Sequence, residues 1–254
     1  MVCREAETSG RDTSFDSEKL RDGLWGYMIG GQESTHTTLC FAAKRLGRQQ
    51  EAQKKLREAL RQAFGDAHHD GRQPTADEIT KVQVPYLNGF IQEVLRMDPP
   101  ASATAKEAAC DMVILGHVIP KGTLVVLALD GPTVNQKGAS VAEERRSESS
   151  RKYGEPGDWA DSKYPCDEFW PERWIQGEGV EATYDGAAGP FLSFGNGPRG
   201  CWGKRLAYLE LKLITTLLIW NFHFDELPTR YRSWDVDERI FGKPKETLVR
   251  IRSV

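Results

Sequence analysis

The sequence predicts a mainly α-helical fold that carries small β-sheets. Several long segments repeat apolar residues at the helical spacing of three and four positions, whereas only short runs have the composition of strands. The chain has 254 residues, of which 39% are hydrophobic. It is therefore long and apolar enough to bury a sizeable core, which argues against a wholly disordered protein.

The charge and cysteine content narrow the classes of function. The 34 Lys and Arg residues nearly balance the 37 Asp and Glu residues, giving a net charge of −3. A strongly basic nucleic-acid binder is therefore not expected. No segment reaches about 18 consecutive apolar residues, so no transmembrane helix is predicted, and the first residues do not resemble a secretory signal. The five cysteines contain no CxxC pair, which argues against a disulfide framework or a zinc ribbon.

The chain is predicted to begin with a disordered segment and a long helix. Residues 1–16 are mostly polar, and we expect them to be disordered. The helix is predicted to run from about Ser17 to Leu46. One stripe of this helix is apolar and is expected to face the core: Leu20, Leu24, Met28, Leu39, Ala42 and Leu46.

The middle of this helix breaks its own pattern. Gly30-Gly31 is followed by a polar run that extends to residue 38. Each glycine inside a helix costs about 1 kcal/mol relative to alanine. Such a local departure from the helical rules often marks a functional segment.

Three more helices are predicted before residue 100. The first repeats apolar residues at every fourth position from Leu56 and is expected to stop at Gly65. Thr75 and Glu78 have the spacing of a capping box, which opens a short second helix. The third helix has the clearest apolar pattern of the chain and ends at the Asp-Pro-Pro of residues 98–100.

The second half of the chain mixes short strands, loops and one helix. Strands are predicted at Met112–Leu115 and Leu124–Leu129. Residues 131–164 are rich in charge, Ser and Gly, and are predicted to form a long loop with a short helix. A glycine-rich loop at 195–203 precedes a final amphipathic helix to about Trp220, and short strands are expected after it.

The glycine-rich loop is the most informative segment. Cys201 is expected near the start of the following helix, where the helix dipole and free N–H groups stabilise an anion. Arg199 adds a positive charge, and the glycines allow backbone N–H groups to approach the sulfur. These features favour a thiolate, which is a soft metal ligand.

Two other interpretations of this loop remain open. Cys201 can be a buried structural cysteine, which is the commoner role of a single cysteine. The G-x-G-x-x-G that begins at Gly195 also matches the dinucleotide-binding fingerprint, and Asp225 follows a strand-like run. This fingerprint would lie close to the end of the chain, where little parallel sheet can follow, and Pro198-Arg199 is bulky for a pyrophosphate turn.

The loop resembles the haem-binding signature of the cytochromes P-450. Its residues Phe194-x-x-Gly197-x-Arg199-x-Cys201-x-Gly203 meet every fixed position of that signature. Three further motifs resemble those of the family, in the family's order: Gly30-Gly31-Gln32-Glu33-Ser34-Thr35, Glu93-x-x-Arg96 and Phe169-x-Pro171-Glu172-Arg173. The resemblance extends from about Leu20 to the C-terminus. Within the family, the sequence resembles fungal members.

The resemblance implies a bound haem b (iron protoporphyrin IX). Cys201 would be the axial thiolate ligand of the iron, and Phe194 would pack near the sulfur. Arg199 would bind a haem propionate, and Lys106 would supply a second cation where most members have arginine. The motifs assign the remaining cofactor contacts to four glycines: Gly197, Gly203, Gly30 and Gly31.

The resemblance also implies catalytic roles in the long helix. Glu33 matches the acidic residue of a proton relay. Ser34 stands where most members have threonine, so the hydroxyl is kept but the methyl that restricts its rotamer is lost. Thr35 supplies the next hydroxyl. From the residues alone, this segment would be a solvated helix face.

The pair formed by Glu93 and Arg96 has two interpretations. Their i, i+3 spacing predicts a surface pair that contributes a few tenths of a kcal/mol. The resemblance implies instead a buried network with Arg173, which is structural and holds the neighbouring segment beside the cysteine loop.

The implied function is that of a haem-thiolate monooxygenase. Such an enzyme inserts one atom of O₂ into an organic substrate, here a fungal secondary metabolite, with electrons from an NADPH-dependent cytochrome reductase. The alternatives are a truncated, non-catalytic remnant of such an enzyme and a dinucleotide-binding dehydrogenase.

The length implies an incomplete domain. A full member of the family is roughly twice as long, so residues 1–254 are expected to form the C-terminal half of the cytochrome P-450 fold, without the N-terminal half and its membrane anchor. The endoplasmic reticulum membrane is the expected location of a full-length member, and an intracellular, cytosolic location is expected for this chain.

Overall fold

The computed structural model describes residues 18–136, 141–146, 148, 151, 163–189, 191–237 and 241–254. The predictions for residues 1–16 and for the central part of the 131–164 loop lie outside these residues. Within the described part of that loop, a short helix and a 3₁₀ turn at Glu143–Arg145 are present.

The described residues are mainly helical with small antiparallel sheets, which confirms the predicted fold class. The α-helices are α1 (Glu18–Arg48), α2 (Gln50–Ala63), α3 (Gly65–His69), α4 (Ala76–Lys81), α5 (Pro85–Met97), α6 (Pro132–Asn135) and α7 (Lys204–Asn221). The strands are β1 (Ala103–Glu107), β2 (Met112–Ile114), β3 (His117–Ile119), β4 (Leu124–Ala128), β5 (Ile175–Gln176), β6 (Thr183–Tyr184), β7 (Phe222–Asp225), β8 (Val236–Asp237), β9 (Lys243–Pro244) and β10 (Arg250–Ser253).

Helix α1 differs in burial between its two halves. The C-terminal half is buried through Phe41, Ala42 and Leu46, and it contacts α5 and α7. The N-terminal half is exposed, with Leu24 and Trp25 at 54% and 63%. The predicted apolar stripe is therefore a core face only from about residue 35 onwards, since its members Leu24 and Met28 are exposed. The helix continues unbroken through the glycine pair at 30–31.

Helix α5 lies at the centre of the core. It packs against α1, α2 and α7, and residues 87–96 are all buried. The Asp-Pro-Pro of residues 98–100 ends this helix, as predicted, and the structure shows that Pro85 occupies its first turn. The capping box of α4 is also confirmed, since Thr75 Oγ1 accepts a hydrogen bond from the Glu78 N–H at 3.2 Å. Gly65 begins the short helix α3 instead of simply ending the preceding helix.

Each of the two predicted strands pairs with a strand that was not predicted. Strand β4 pairs with β1, and β2 pairs with β3 across a tight turn. The turn consists of Leu115 (φ 52°) and Gly116 (φ 83°), so the hairpin closes earlier than expected. Strand β7 pairs with β10, which confirms the short strands expected near the C-terminus. Among the residues described, no helix is both long and apolar enough to cross a membrane.

Candidate functional site

The carboxylate of Glu93 is the centre of a fully buried ion-pair network. Arg96 donates two hydrogen bonds to it, from Nε to Oε2 and from Nη2 to Oε1, each at 2.8 Å. Both side chains are 0% exposed. The alternative of a surface pair is therefore wrong, because α5 is buried on the face of these charges as well as on its apolar stripe.

Arg96 also holds the chain that follows α5. Its Nη1 donates to the carbonyl oxygens of Val134 and Cys166, at 2.6 and 2.9 Å, and its Nη2 donates to that of Glu168 at 3.2 Å. The guanidinium thus connects the central helix to α6 and to the segment that precedes the 3₁₀ helix Pro171–Trp174. A buried arginine with this many acceptors has a fixed orientation.

Arg173 belongs to the same network. Its Nε lies 3.6 Å from Glu93 Oε1, and its two Nη atoms donate to the carbonyl oxygens of Tyr164 and Pro165 at 2.9 and 2.7 Å. Burial lowers the pKa of the Arg173 guanidinium, and the charge of Glu93 partly offsets this effect.

The structure reveals two partners of Glu93 that the motifs do not include. The indole Nε1 of Trp174 donates to Glu93 Oε2 at 2.8 Å, and the backbone N–H of Trp170 donates to Oε1 at 3.0 Å. The compact aromatic sequence of residues 169–174 was the only signal for them, and it does not specify an indole hydrogen bond. With these donors the buried carboxylate is fully hydrogen-bonded, as a buried charge must be.

An aromatic row connects this network to the cysteine loop. The ring of Trp174 contacts Phe191, Phe191 contacts Phe194, and Phe194 contacts Tyr208 of α7, with centroid distances of 6.2, 6.1 and 5.2 Å. The hydroxyl of Ser193 also donates to the carbonyl oxygen of Leu95 at 2.7 Å. The loop is therefore anchored directly to the end of α5.

The backbone of the loop places Cys201 at its open end. Gly195 and Gly197 have φ values of 64° and 70°, a region that favours glycine. The chain then forms a 3₁₀ turn at Gly197–Arg199, and the N–H of Cys201 donates to the carbonyl oxygen of Phe194 at 2.8 Å. Cys201 lies three residues before α7.

The side chain of Cys201 is exposed. The interpretation of a buried structural cysteine is therefore wrong. Arg199 and Gly197 are exposed too, and a Cβ atom on Gly203 would lie 3.8 Å from the sulfur. Trp202 (74%) and Leu206 (55%) expose apolar surface beside the thiol. An accessible sulfur next to exposed apolar side chains can accept a large, flat, apolar group.

The glycine pair of α1 has no cover among the described residues. A Cβ atom on Gly30 or Gly31 would meet nothing within 4 Å. The hydroxyl of Ser34 donates to the carbonyl oxygen of Gly30 at 2.6 Å. Glu33 and Ser34 are half-buried, whereas Thr35 is buried, so the three residues do not form a solvated face.

Lys106 lies on strand β1, where it is paired with Val125 of β4 and is half-buried. It is not the fully solvated residue that its charge alone would suggest. The contacts described here do not join it to the cysteine loop, which is organised by α5 and α7.

The structure around the dinucleotide fingerprint is not the strand–loop–helix–strand motif that dinucleotide binding requires. It needs a strand before the loop and a parallel strand after the helix. The residues immediately before Gly195 form a turn, and Asp225 ends β7, which pairs antiparallel with β10. All strand pairs among the described residues are antiparallel.

Several known proteins are similar to this sequence. A model of the cytochrome P-450 family matches residues 2–137 and 165–249. The chain is 35% identical to the cytochrome P-450 monooxygenase TRI13 of Fusarium sporotrichioides, over 100% of this chain and 46% of that protein. It is also 35% identical to the cytochrome P-450 monooxygenase xilC of Penicillium rubens, over 100% of this chain and 44% of that protein.

A third relative is shorter. The chain is 34% identical to the Hps1-dma1 cluster cytochrome P-450 monooxygenase cyp3.1 of Dothistroma septosporum, over 97% of this chain and 82% of that protein. The chain thus spans most of this relative but less than half of the Fusarium and Penicillium proteins. Because the family model covers most of the chain and these relatives match nearly all of it, the chain belongs to the cytochrome P-450 family.

Proposed function

We propose that residues 1–254 form the C-terminal half of a haem-thiolate monooxygenase domain, with Cys201 as the ligand of the haem iron. The order of the four motifs along the chain supports this assignment. The length of the relatives supports it too, since the chain spans 46% and 44% of two of them.

The observation that carries the proposal is the accessible thiol of Cys201 on a fixed loop. The sulfur is exposed, the loop is tied to α5 through Ser193 and Leu95, and apolar side chains beside it are open. These residues fit a haem, whose macrocycle needs apolar surface and whose iron accepts a thiolate. When bound, this group supplies O₂ activation and the insertion of one oxygen atom into a substrate.

The other residues of the loop would bind and orient the cofactor. Phe194, which contacts the rings of Phe191 and Tyr208, keeps a ring beside the loop that carries the sulfur. Arg199 is exposed and can turn its guanidinium to a propionate, and Lys106 offers an ammonium group to the second one. Gly197 and Gly203 add no side chain that would block the sulfur.

The segment from Gly30 to Thr35 would leave space for oxygen and transfer protons. Gly30 and Gly31 leave space where a side chain would otherwise project. Ser34 Oγ now donates its proton to the Gly30 carbonyl oxygen, so a change of rotamer would free this proton for a bound ligand. Glu33 would return a proton from solvent, and the buried Thr35 provides a second hydroxyl.

The Glu93–Arg96–Arg173 network would act on structure rather than on chemistry. It fixes the segment from Tyr164 to Trp174 against α5. The aromatic row, which begins at Trp174, packs this segment against the loop of Cys201. The geometry of the thiolate therefore depends on three residues that do not touch the cofactor.

The complete protein would use O₂, a small organic substrate and electrons from an NADPH-dependent cytochrome reductase, at the endoplasmic reticulum membrane. The relatives are fungal monooxygenases, and one of them is named for a gene cluster. A secondary metabolite is therefore the substrate class that we propose.

A reduced, carbon-monoxide-bound absorption spectrum tests the ligand. After haem reconstitution, we expect the red-shifted Soret band of thiolate ligation, and Cys201→Ala should abolish it. Cys110→Ala is the matched control, because Cys110 is also exposed. An unchanged band in the Cys201 variant would overturn the assignment.

The same experiment separates the alternatives. A chain that folds but takes up no haem would support the non-catalytic remnant. Haem uptake followed by substrate turnover with a reductase would support the monooxygenase.

A further inference from the structure

Two adjoining cavities lie beside one face of α7, where this helix packs against α4 and α5. Their volumes are about 370 and 510 Å³. Both are lined by Lys204, Tyr208 and Lys212, which follow each other at every fourth position and therefore share a face of the helix. We call this region, together with Arg205, the basic cavity.

The basic cavity carries uncompensated positive charge. Lys204, Arg205 and Lys212 line it, and none of its described lining residues is acidic. None of these three side chains forms an ion pair with a carboxylate of the described residues, whereas Lys55 and Lys81 do. Burial lowers the pKa of the half-buried Lys212, and no neighbouring carboxylate counteracts this effect.

The hydrogen bonds around Gln92 determine which donors remain for a ligand. The hydroxyl groups of Tyr184 and Tyr208 both donate to Gln92 Oε1, the first at 2.8 Å. Burial raises the pKa of Tyr184 to about 12 and also raises that of Tyr208, so both phenols are protonated at neutral pH.

Because both phenol protons are used, the charged donors that remain are Arg205 and the ammonium groups of Lys204 and Lys212. The Lys204 ammonium lies over the Phe194 ring, 5.7 Å from its centroid, and this contact leaves its N–H groups free to bind an anion.

We propose that the basic cavity binds a small phosphate-bearing anion between Lys204 and Lys212. Lysine binds phosphate as a compact point charge with three donors. The two lysines lie about 12 Å apart along the helix axis, and long side chains can converge on a ligand that carries two linked anionic groups. The rings of Tyr184 and Phe191, which also line the cavity, offer a wall for an apolar part of such a ligand.

This inference goes beyond the proposed monooxygenase and does not depend on haem. None of the cysteine-loop residues that we assign to the cofactor lines the basic cavity. The cavity would instead make the protein responsive to a phosphorylated metabolite.

Isothermal titration calorimetry of the chain with inorganic pyrophosphate tests the proposal, at constant ionic strength maintained with potassium chloride. We expect saturable binding with a stoichiometry of one. Lys212→Gln should weaken binding about tenfold or more, since it removes a charge-assisted hydrogen bond. Lys54→Gln is the matched control, because Lys54 is exposed on α2 and forms no ion pair with the described residues.

Circular dichroism of each variant shows whether it is folded. Lys204→Gln is a second variant for the same comparison, at a position that is more exposed than Lys212. Equal binding by wild type, Lys212→Gln and Lys204→Gln would overturn the proposal. So would an equal loss in the Lys54 control, because binding would then be non-specific screening. Citrate that binds as tightly as pyrophosphate would overturn the assignment to phosphate.

Discussion

Gly89 of α5 lies directly against the backbone of Pro171: a Cβ atom on Gly89 would be 2.6 Å from the Pro171 carbonyl oxygen. Glycine inside a helix costs about 1 kcal/mol relative to alanine. Here it allows α5 and the 3₁₀ helix Pro171–Trp174 to pack closely enough for Glu93 to reach Trp170, Arg173 and Trp174.

Gly89→Ala should therefore destabilise the protein, although alanine is the better helix former. The backbone at Pro171 would have to move, which typically costs about 1–3 kcal/mol. The measurement is the midpoint of urea unfolding. Gly26→Ala is the control, because Gly26 is also inside a helix but a Cβ atom there meets nothing within 4 Å. Similar midpoints for the two variants would contradict the close packing.

Glu93→Ala should leave the guanidinium groups of Arg96 and Arg173 buried without their counter-charge. Removing one partner of a buried ion pair costs about 3–5 kcal/mol. We expect the yield of soluble, folded protein to fall sharply, as measured by gel filtration and circular dichroism. Glu58→Ala, at an exposed position of α2, should leave the yield unchanged. Normal folding of the Glu93 variant would mean that the network is not required.

Glu78→Gln should reduce the loss of stability in acid. The Arg72 side chain and the Thr75 cap lower the pKa of Glu78 to about 2. A carboxylate with a depressed pKa stabilises the folded state above its ordinary pKa of about 4.5, and this contribution disappears as the pH falls towards 2. The melting temperature should therefore decrease less between pH 5 and pH 3 in Glu78→Gln than in wild type. An identical pH profile would show that the half-buried Glu78 does not contribute to stability.

Ser34→Ala should uncouple the complete enzyme. Without the hydroxyl, the proposed proton delivery fails. Compared with wild type, a larger share of the NADPH consumed should yield hydrogen peroxide and a smaller share should yield product. Ser34→Thr should preserve or improve coupling, because its methyl restricts the rotamer. The measurement is product formed per NADPH oxidised. If Ser34→Ala couples like wild type, the hydroxyl of Thr35 becomes the candidate.

Several elements could be predicted from the sequence because their signals are local. The capping box of Thr75 and Glu78 needs only four residues, and the clear pattern of α5 matches its full length. Strand β1 was missed because Ala103–Glu107 has little β-branched or aromatic character, and its pairing with β4 is decided by tertiary contacts.

The candidate site was predicted from motifs rather than from physical patterns. Spacing alone suggested a surface pair at Glu93 and Arg96, since it cannot show that α5 is buried on every side. The hydrogen bond from Trp174 was not predictable either, because it depends on a side-chain orientation set by the packing of the 3₁₀ helix. Conversely, the exposed stripe around Leu24 shows that an apolar pattern does not guarantee burial.

The hydrogen bond from the Trp170 amide to Glu93 has a consequence for motion. Amides outside regular secondary structure usually exchange with solvent through small local openings. This one can open only if the buried carboxylate loses a partner, which requires the central helix to separate from its surroundings. The Trp170 amide should therefore exchange its hydrogen more slowly than the other amides of the largely exposed segment 164–170.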